Sequence, residues 1–214
     1  MNISSKEILD FFNLLNSYQI NYVLLRNIDN ELPFNFKGNK DIDILVHSDS
    51  KGDLYNMMRE KGWKKLLHPL SNRDDYKFLY AMDEFDFFSN TKLNIDVCYQ
   101  LACRSTNKGE WMPLDKKINS SVWENKQKDN KFHWYTMNTE DQLIHLLCRC
   151  IFDKKMFPVG YLNKINELYF IAKKKILYCK LELIFFKFTP YLIDHINNND
   201  FADIIVKYLQ FTKY

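Results

Sequence analysis

The chain has 214 residues, of which 46% are hydrophobic and 16% aromatic, enough to bury a sizeable core and too apolar for a disordered chain. A formal net charge of +3 does not call for nucleic acid as a partner, and no run of about 18 uncharged apolar residues offers a membrane span. Five cysteines (Cys98, Cys103, Cys148, Cys150, Cys179) include no CxxC pair and the N-terminus shows no basic stretch before an apolar run, so a cytoplasmic protein with reduced thiols and no signal peptide is expected.

Ser4 or Ser5 can cap a first helix, along which Ile8, Leu9, Phe11, Phe12, Leu14 and Leu15 recur at helical spacing. "NYVLLRN" (21–27) reads as a strand, and 27–39 as a polar connection carrying Pro33 and Gly38. "DIDILVH" (41–47) is the next strand, followed by a helix over 48–63 that ends at Gly62. "WKKLLHPL" and "YKFLYAM" read as strands around a turn at 71–75, and a hairpin turning at "SNTK" has its last strand near 93–101. Helix, strand, strand, helix and further strands make an α+β unit with a mixed β-sheet.

Residues 103–137 are polar and read as a connecting segment, a loop with short strands. From 138 to 214 the pattern is helical. Thr139-x-x-Gln142 offers a capping box, and Leu143, Ile144, Leu146, Leu147, Cys150 and Ile151 follow at helical spacing. "VGYLNKINELYFIAKK" gives a second helix, and "LELIFFKF" and "DFADIIVKYLQF" one or two more. The expected organisation is therefore a catalytic domain over 1–102, a connector over 103–137 and a C-terminal helical domain over 138–214.

Asp41 and Asp43 carry the chemical signal. Side chains alternate along a strand, so both project from one face while Ile42 and Ile44 project from the other. Carboxylates this close destabilise one another unless a cation lies between them. Mg²⁺ (or Mn²⁺) suits such hard oxygen ligands, together with substrate phosphates. Asp96, in the apolar run "LNIDVCY", shares its face with Asn94 and Cys98. If its strand neighbours the first, three carboxylates converge and can hold two metal ions. Asp29, Asp49, Asp53, Asp83 and Asp86 lack that setting and read as surface or cap residues. His145 and Arg149 share a helix face, most simply as a surface or packed pair, with contact to nucleotide or acceptor in a cleft between the halves as the alternative. Cys148 and Cys150 are poorly spaced for chelation on a helix and read as core thiols, and residues 153–155, "DKK", as a solvated helix end.

Helix, strand, glycine-bearing loop, "DIDILV", helix, further strands and a lone strand aspartate resemble the nucleotidyltransferase fold of the DNA polymerase β superfamily. The resemblance runs over residues 5 to 102. More narrowly, the chain is similar to stand-alone bacterial nucleotidyltransferase-family proteins. It implies Mg²⁺-dependent transfer of a nucleoside monophosphate from a nucleoside triphosphate to a hydroxyl or phosphate acceptor. Asp41, Asp43 and Asp96 would be the catalytic metal ligands, with Asp96 as base toward the acceptor. Where the family has a Gly-Ser turn, this chain has Leu25-Arg26-Asn27. Arg26, Asn27, Gly38 and Lys40 are then the candidates for contacting nucleotide. Surface-polysaccharide biosynthesis is a setting the resemblance suggests. A non-catalytic nucleotide- or protein-binding module of the same fold and a protein-modifying AMP transferase stay open, as does a homodimer. Neutralising Asp43 is expected to abolish transfer and leave the fold intact or more stable.

Overall fold

Residues 3–38, 40–69, 76–105 and 107–212 are described by the structure, a computed structural model; the turn expected at 71–75 lies outside them. Helix α1 (Ser5–Ser17) begins at Ser4, whose hydroxyl accepts a hydrogen bond from the Lys6 N–H, which settles the cap. It buries Ile8, Phe11, Phe12 and Leu15, one stripe of an amphipathic helix.

Among the described residues, β1 (Tyr22–Leu24), β2 (Asp41–Val46), β3 (Lys64–Leu66), β5 (Asp86–Ser89), β6 (Asn94–Cys98), β9 (Gln127–Lys128) and β10 (Tyr135–Thr136) form a mixed sheet in the order β3-β5-β6-β2-β1-β10-β9. The strand expected at "YKFLYAM" shortens to β4 (Lys77–Phe78) and joins a separate small sheet with β7 (Ala102–Arg104) and β8 (Glu110–Pro113). β2 lies at the centre of the large sheet, antiparallel to β1 and parallel to β6.

Both faces of β2 are covered, which explains its dense apolar run. Ile42, Ile44 and Val46 pack with Ile95 and Val97 against α1 and α2 (Lys51–Glu60). Val23, Leu25 and Leu45 face the other way, into a core shared with α3 (Lys116–Asn125), α4 (Thr139–Cys148), α5 (Val159–Ile171) and α6 (Lys174–Phe185). α7 (Thr189–Asn197) and α8 (Ile204–Leu209) complete that layer. The acids of β2 belong to this second face, where the helical cover opens.

The segment 103–137 is more structured than its polarity suggests. Ile118 and Val122, one turn apart on α3, are both buried, and β10 pairs in parallel with β1 through Leu24 and Thr136. The cap of α4 is Asn138, whose side-chain oxygen accepts from the Asp141 N–H at 2.8 Å, so Thr139 is the first helical residue and the expected capping box is displaced by one position. α4 then continues into a π-helical turn, Arg149–Lys154. That turn carries Asp153 inward, where it pairs with Arg149 at 2.6 Å and accepts from the Arg104 N–H at 2.7 Å. Asp153 is thus buried, not a solvated helix end. Asp86 is likewise no surface residue. It is 5% exposed and accepts hydrogen bonds from Tyr55 and Tyr99 at 2.5 Å each, with Lys65 at 2.6 Å, partners that make a buried carboxylate tolerable. All five cysteines are free, with Cys148 and Cys150 in the core. No helix among the described residues is long and apolar enough to cross a membrane.

Candidate active site

The parallel register of β2 and β6 sets Asp43 opposite Asp96 and Asp41 opposite Asn94. Because side chains repeat every second residue, Asp41, Asp43 and Asp96 emerge on one face. One carboxylate oxygen from each lies within 4.8 Å of one from each of the others. Asp41 is exposed, and the other two are half-buried.

Arg26, just beyond the end of β1, lies against this cluster. One guanidinium nitrogen donates to Asp43 Oδ1 and the other to the Tyr161 hydroxyl of α5, at 2.9 Å. Burial pushes the Asp43 carboxyl above its ordinary range and Asp96 and Asp41 push the same way, while Arg26 and Arg149 oppose them. Burial works against the Arg26 charge, but Asp43 and Tyr161 together outweigh it and raise the guanidinium's pKa. A cation thus already sits on the acid that needs one most. Asp96 faces His68 Nε2 at 3.3 Å.

Two cavities meet at the Arg26–Asp43 pair. The larger, about 260 Å³, is bounded by Glu31, Lys40, Asp41 and Tyr161 as well as by the pair itself. The smaller, about 80 Å³, lies on the Asp96 side, against Cys98, Gln100, His145 and Arg149. Cys98 is not poised as a soft metal ligand: its thiol donates to the Ile44 carbonyl at 3.7 Å, and burial, then Asp96 and Asp43, raise its pKa.

The candidates drawn from the connecting loop are placed unequally. Lys40 pairs with Glu31 and faces the larger cavity. Asn27 is engaged elsewhere: its side-chain oxygen accepts from the Leu32 N–H at 2.9 Å, and it lines a different cavity. Gly38 is an exposed turn residue bordering neither cavity at the acids. Conversely, His145 and Arg149 are at the site and not merely a packed surface pair. Their i, i+4 spacing was a visible signal, whereas nothing in the sequence placed Tyr161, Gln100 or Trp111 here.

His145 is 5% exposed, and neither ring nitrogen has a hydrogen-bond partner among the described residues. Burial, then Arg26 and Arg149, hold its pKa well below the ordinary value. The unfolded chain therefore binds a proton at this position before the folded protein does. Stability contributed by neutral His145 is full above the unfolded pKa and is lost as pH falls from about 6.5 toward the lower folded value. His145→Leu should flatten the pH dependence of unfolding free energy between pH 7 and 5, by up to about 1.4 kcal/mol per pH unit. Urea titrations at a series of pH values check this, and identical slopes in the two proteins would refute it.

No protein-family model matches the sequence, and no curated protein does. Solved structures do resemble it. The solution structure of the antibiotic-resistance factor ANT(2'')-Ia aligns over 91% of this chain and 97% of its own, with a TM-score of 0.51 and 7% identity. The crystal structure of ANT(2'')-Ia with adenylyl-2''-tobramycin gives 0.51 over 84% and 95%, again at 7% identity. A lincomycin-bound lincosamide antibiotic adenylyltransferase, LnuA, covers 80% of this chain and 100% of its own, at 14% identity and a TM-score of 0.48. At such identities the ANT(2'')-Ia likeness is one of architecture: the chain has the nucleotidyltransferase fold, a mixed sheet with flanking helices and a helical C-terminal part.

Proposed function

We propose, from that fold, that the protein is a metal-dependent nucleotidyltransferase moving a nucleoside monophosphate from a nucleoside triphosphate to an acceptor hydroxyl or phosphate. The observation that carries this reading is the convergence of Asp41, Asp43 and Asp96 within 4.8 Å, between two cavities. Three hard oxygen donors at that spacing, with the neighbouring thiol committed elsewhere, suit Mg²⁺ or Mn²⁺. The three carboxylates would hold the metal, which when bound neutralises phosphate charge and favours an ionised nucleophile.

The chain's own groups supply the rest. The larger cavity, with Lys40 at its edge, takes the triphosphate, and the smaller takes the acceptor. Asp96 receives the acceptor's proton. Arg26 turns from Asp43 to the incoming phosphates, for which its planar fork of donors is suited. The acceptor oxygen bonds to the α-phosphorus as the bond to pyrophosphate breaks, so pyrophosphate leaves with the electron pair. No residue of the site speaks for a polysaccharide pathway or for a protein acceptor.

One observation favours a second reading. Arg26 replaces the expected Gly-Ser turn and lies on Asp43 as a built-in counter-ion. A chain in which that pair never opens would be a non-catalytic module of the same fold.

The test is thermal stability with ATP, CTP, GTP and UTP, each with and without Mg²⁺ or Mn²⁺, followed by pyrophosphate release. Transfer requires that one nucleotide stabilise the protein only with metal, by about 2.7 kcal/mol at a hundred times its dissociation constant. No metal-dependent stabilisation by any of the four would remove the transferase reading.

A further inference from the structure

We infer that the smaller cavity takes an uncharged, single-ring polyhydroxylated acceptor, a monosaccharide or cyclitol, and is built against polyamines. The inference rests on the transferase reading for its chemistry but on separate observations for its ligand.

Size comes first. The cavity measures about 80 Å³, room for several waters, which suits one small ring better than a chain of rings. A chain of linked rings would have to extend out of the mouth.

Its polar groups point to hydroxyls. His145 Nδ1 and Nε2, Gln100 Oε1 and Arg149 Nε are all buried without a hydrogen-bond partner among the described residues, and all four belong to residues lining this cavity. Unsatisfied buried polar atoms are costly and call for a partner. Neutral imidazole offers one donor and one acceptor, the amide oxygen accepts, and the guanidinium N–H donates. Hydroxyls, which donate and accept, match that mixed set. Trp111 and Phe85, edge-on with ring centroids 5.0 Å apart, give an apolar wall for the C–H face of a ring.

Charge then narrows the class. Arg26 is paired with Asp43, and Arg149 with Asp153 at 2.6 Å. Among the described residues, the only carboxylates lining the cavity are Asp43 and Asp96, both in the proposed metal cluster. With a metal bound there, no described carboxylate of the lining is left to receive an ammonium group. Neither arginine carries an unmatched charge for a phosphate or carboxylate. In the reaction, a ring hydroxyl beside Asp96 gives its proton to that carboxylate while its oxygen bonds to the α-phosphorus and pyrophosphate departs.

Binding without nucleotide, with Mg²⁺ present to occupy the carboxylates, tests this. Saturation-transfer NMR would be run on glucose, galactose, mannose and myo-inositol. Glucosamine, glucose 6-phosphate, tobramycin and adenosine form the comparison set. At least one neutral ring should bind, more tightly than any of the charged probes. His145→Leu and Gln100→Leu should each weaken it about tenfold or more, and Glu124→Gln, on an exposed position of α3 that lines neither cavity, should leave it unchanged. Three results overturn the proposal: no neutral ring bound, tighter binding of a charged probe, or binding that survives both substitutions. Adenosine displacing the ring would overturn it too, since the cavity would then hold the donor's base. Ring binding together with a failed metal–nucleotide panel would sink transfer alone, and a working panel with no ring bound would sink this inference alone.

Discussion

Asp43→Asn should lower metal-dependent transfer by at least about a thousandfold, the scale of losing a principal group that stabilises transition-state charge. It should also cost the metal-free protein about 1.5–3 kcal/mol, because the carboxylate anchors the guanidinium of Arg26 and a charge-assisted hydrogen bond of this kind is worth that much. This reverses the expectation from like-charge repulsion alone, which made neutralisation harmless or stabilising. Asp41→Asn is the informative contrast. Asp41 is exposed and its carboxylate makes no hydrogen bond or ion pair among the described residues, so its loss should leave stability within about 0.5 kcal/mol while still abolishing transfer. Pyrophosphate release and urea unfolding of both variants read the split. Wild-type turnover in Asp43→Asn would end the mechanism, and equal stability of the two variants would end the claim that Arg26 depends on Asp43.

Removing the cation from the same pair has the second large effect. Arg26→Ala leaves Asp43 half-buried beside Asp96 and Asp41 with only Arg149, itself paired with Asp153, to offset them. Breaking a buried pair by deleting one partner typically costs about 3–5 kcal/mol, and the residual exposure of this pair, 16% for each side chain, puts the expected loss at the lower end. Divalent metal should restore it, since a cation among three carboxylates answers the same charge. Mn²⁺ should therefore bind Arg26→Ala at least about tenfold more tightly than it binds the wild type, seen as a steeper rise of Tm with metal concentration. Weaker or equal Mn²⁺ binding would mean that Arg26 does not occupy the metal's place. The same titration bears on the non-catalytic reading. A wild type indifferent to metal beside a responsive Arg26→Ala would make Arg26 a permanent substitute for the ion.

How much of this was legible in advance depended on the range of the interaction involved. Periodicity is written residue by residue, so the stripe of α1, the apolar run of β2 and the helical character after residue 138 could be read directly. The shared face of Asp41 and Asp43 followed from the two-residue repeat of a strand, whatever that strand paired with. The meeting of Asp96 with them was only conditional, because it needed β6 to lie beside β2 and in this register. A shift of one residue would have turned Asp96 to the opposite face. α3 was hidden because its burial comes from partners distant in sequence, with only Ile118 and Val122 to signal it.

Alternation and helical spacing are local properties of the chain, and they were enough to say which residue types could do chemistry here and which strands would present them. Tertiary structure alone decided their state. It brought Arg26 onto Asp43, carried Asp153 inward on a π-helical turn to hold Arg149, and buried His145 beside the acids with no hydrogen-bond partner among the described residues. It also spent Asn27 on a loop and left Gly38 outside. The physical reason is that charge, protonation and hydrogen-bond satisfaction depend on what surrounds a group in space and on how much water reaches it. Neighbours along the chain do not fix either one.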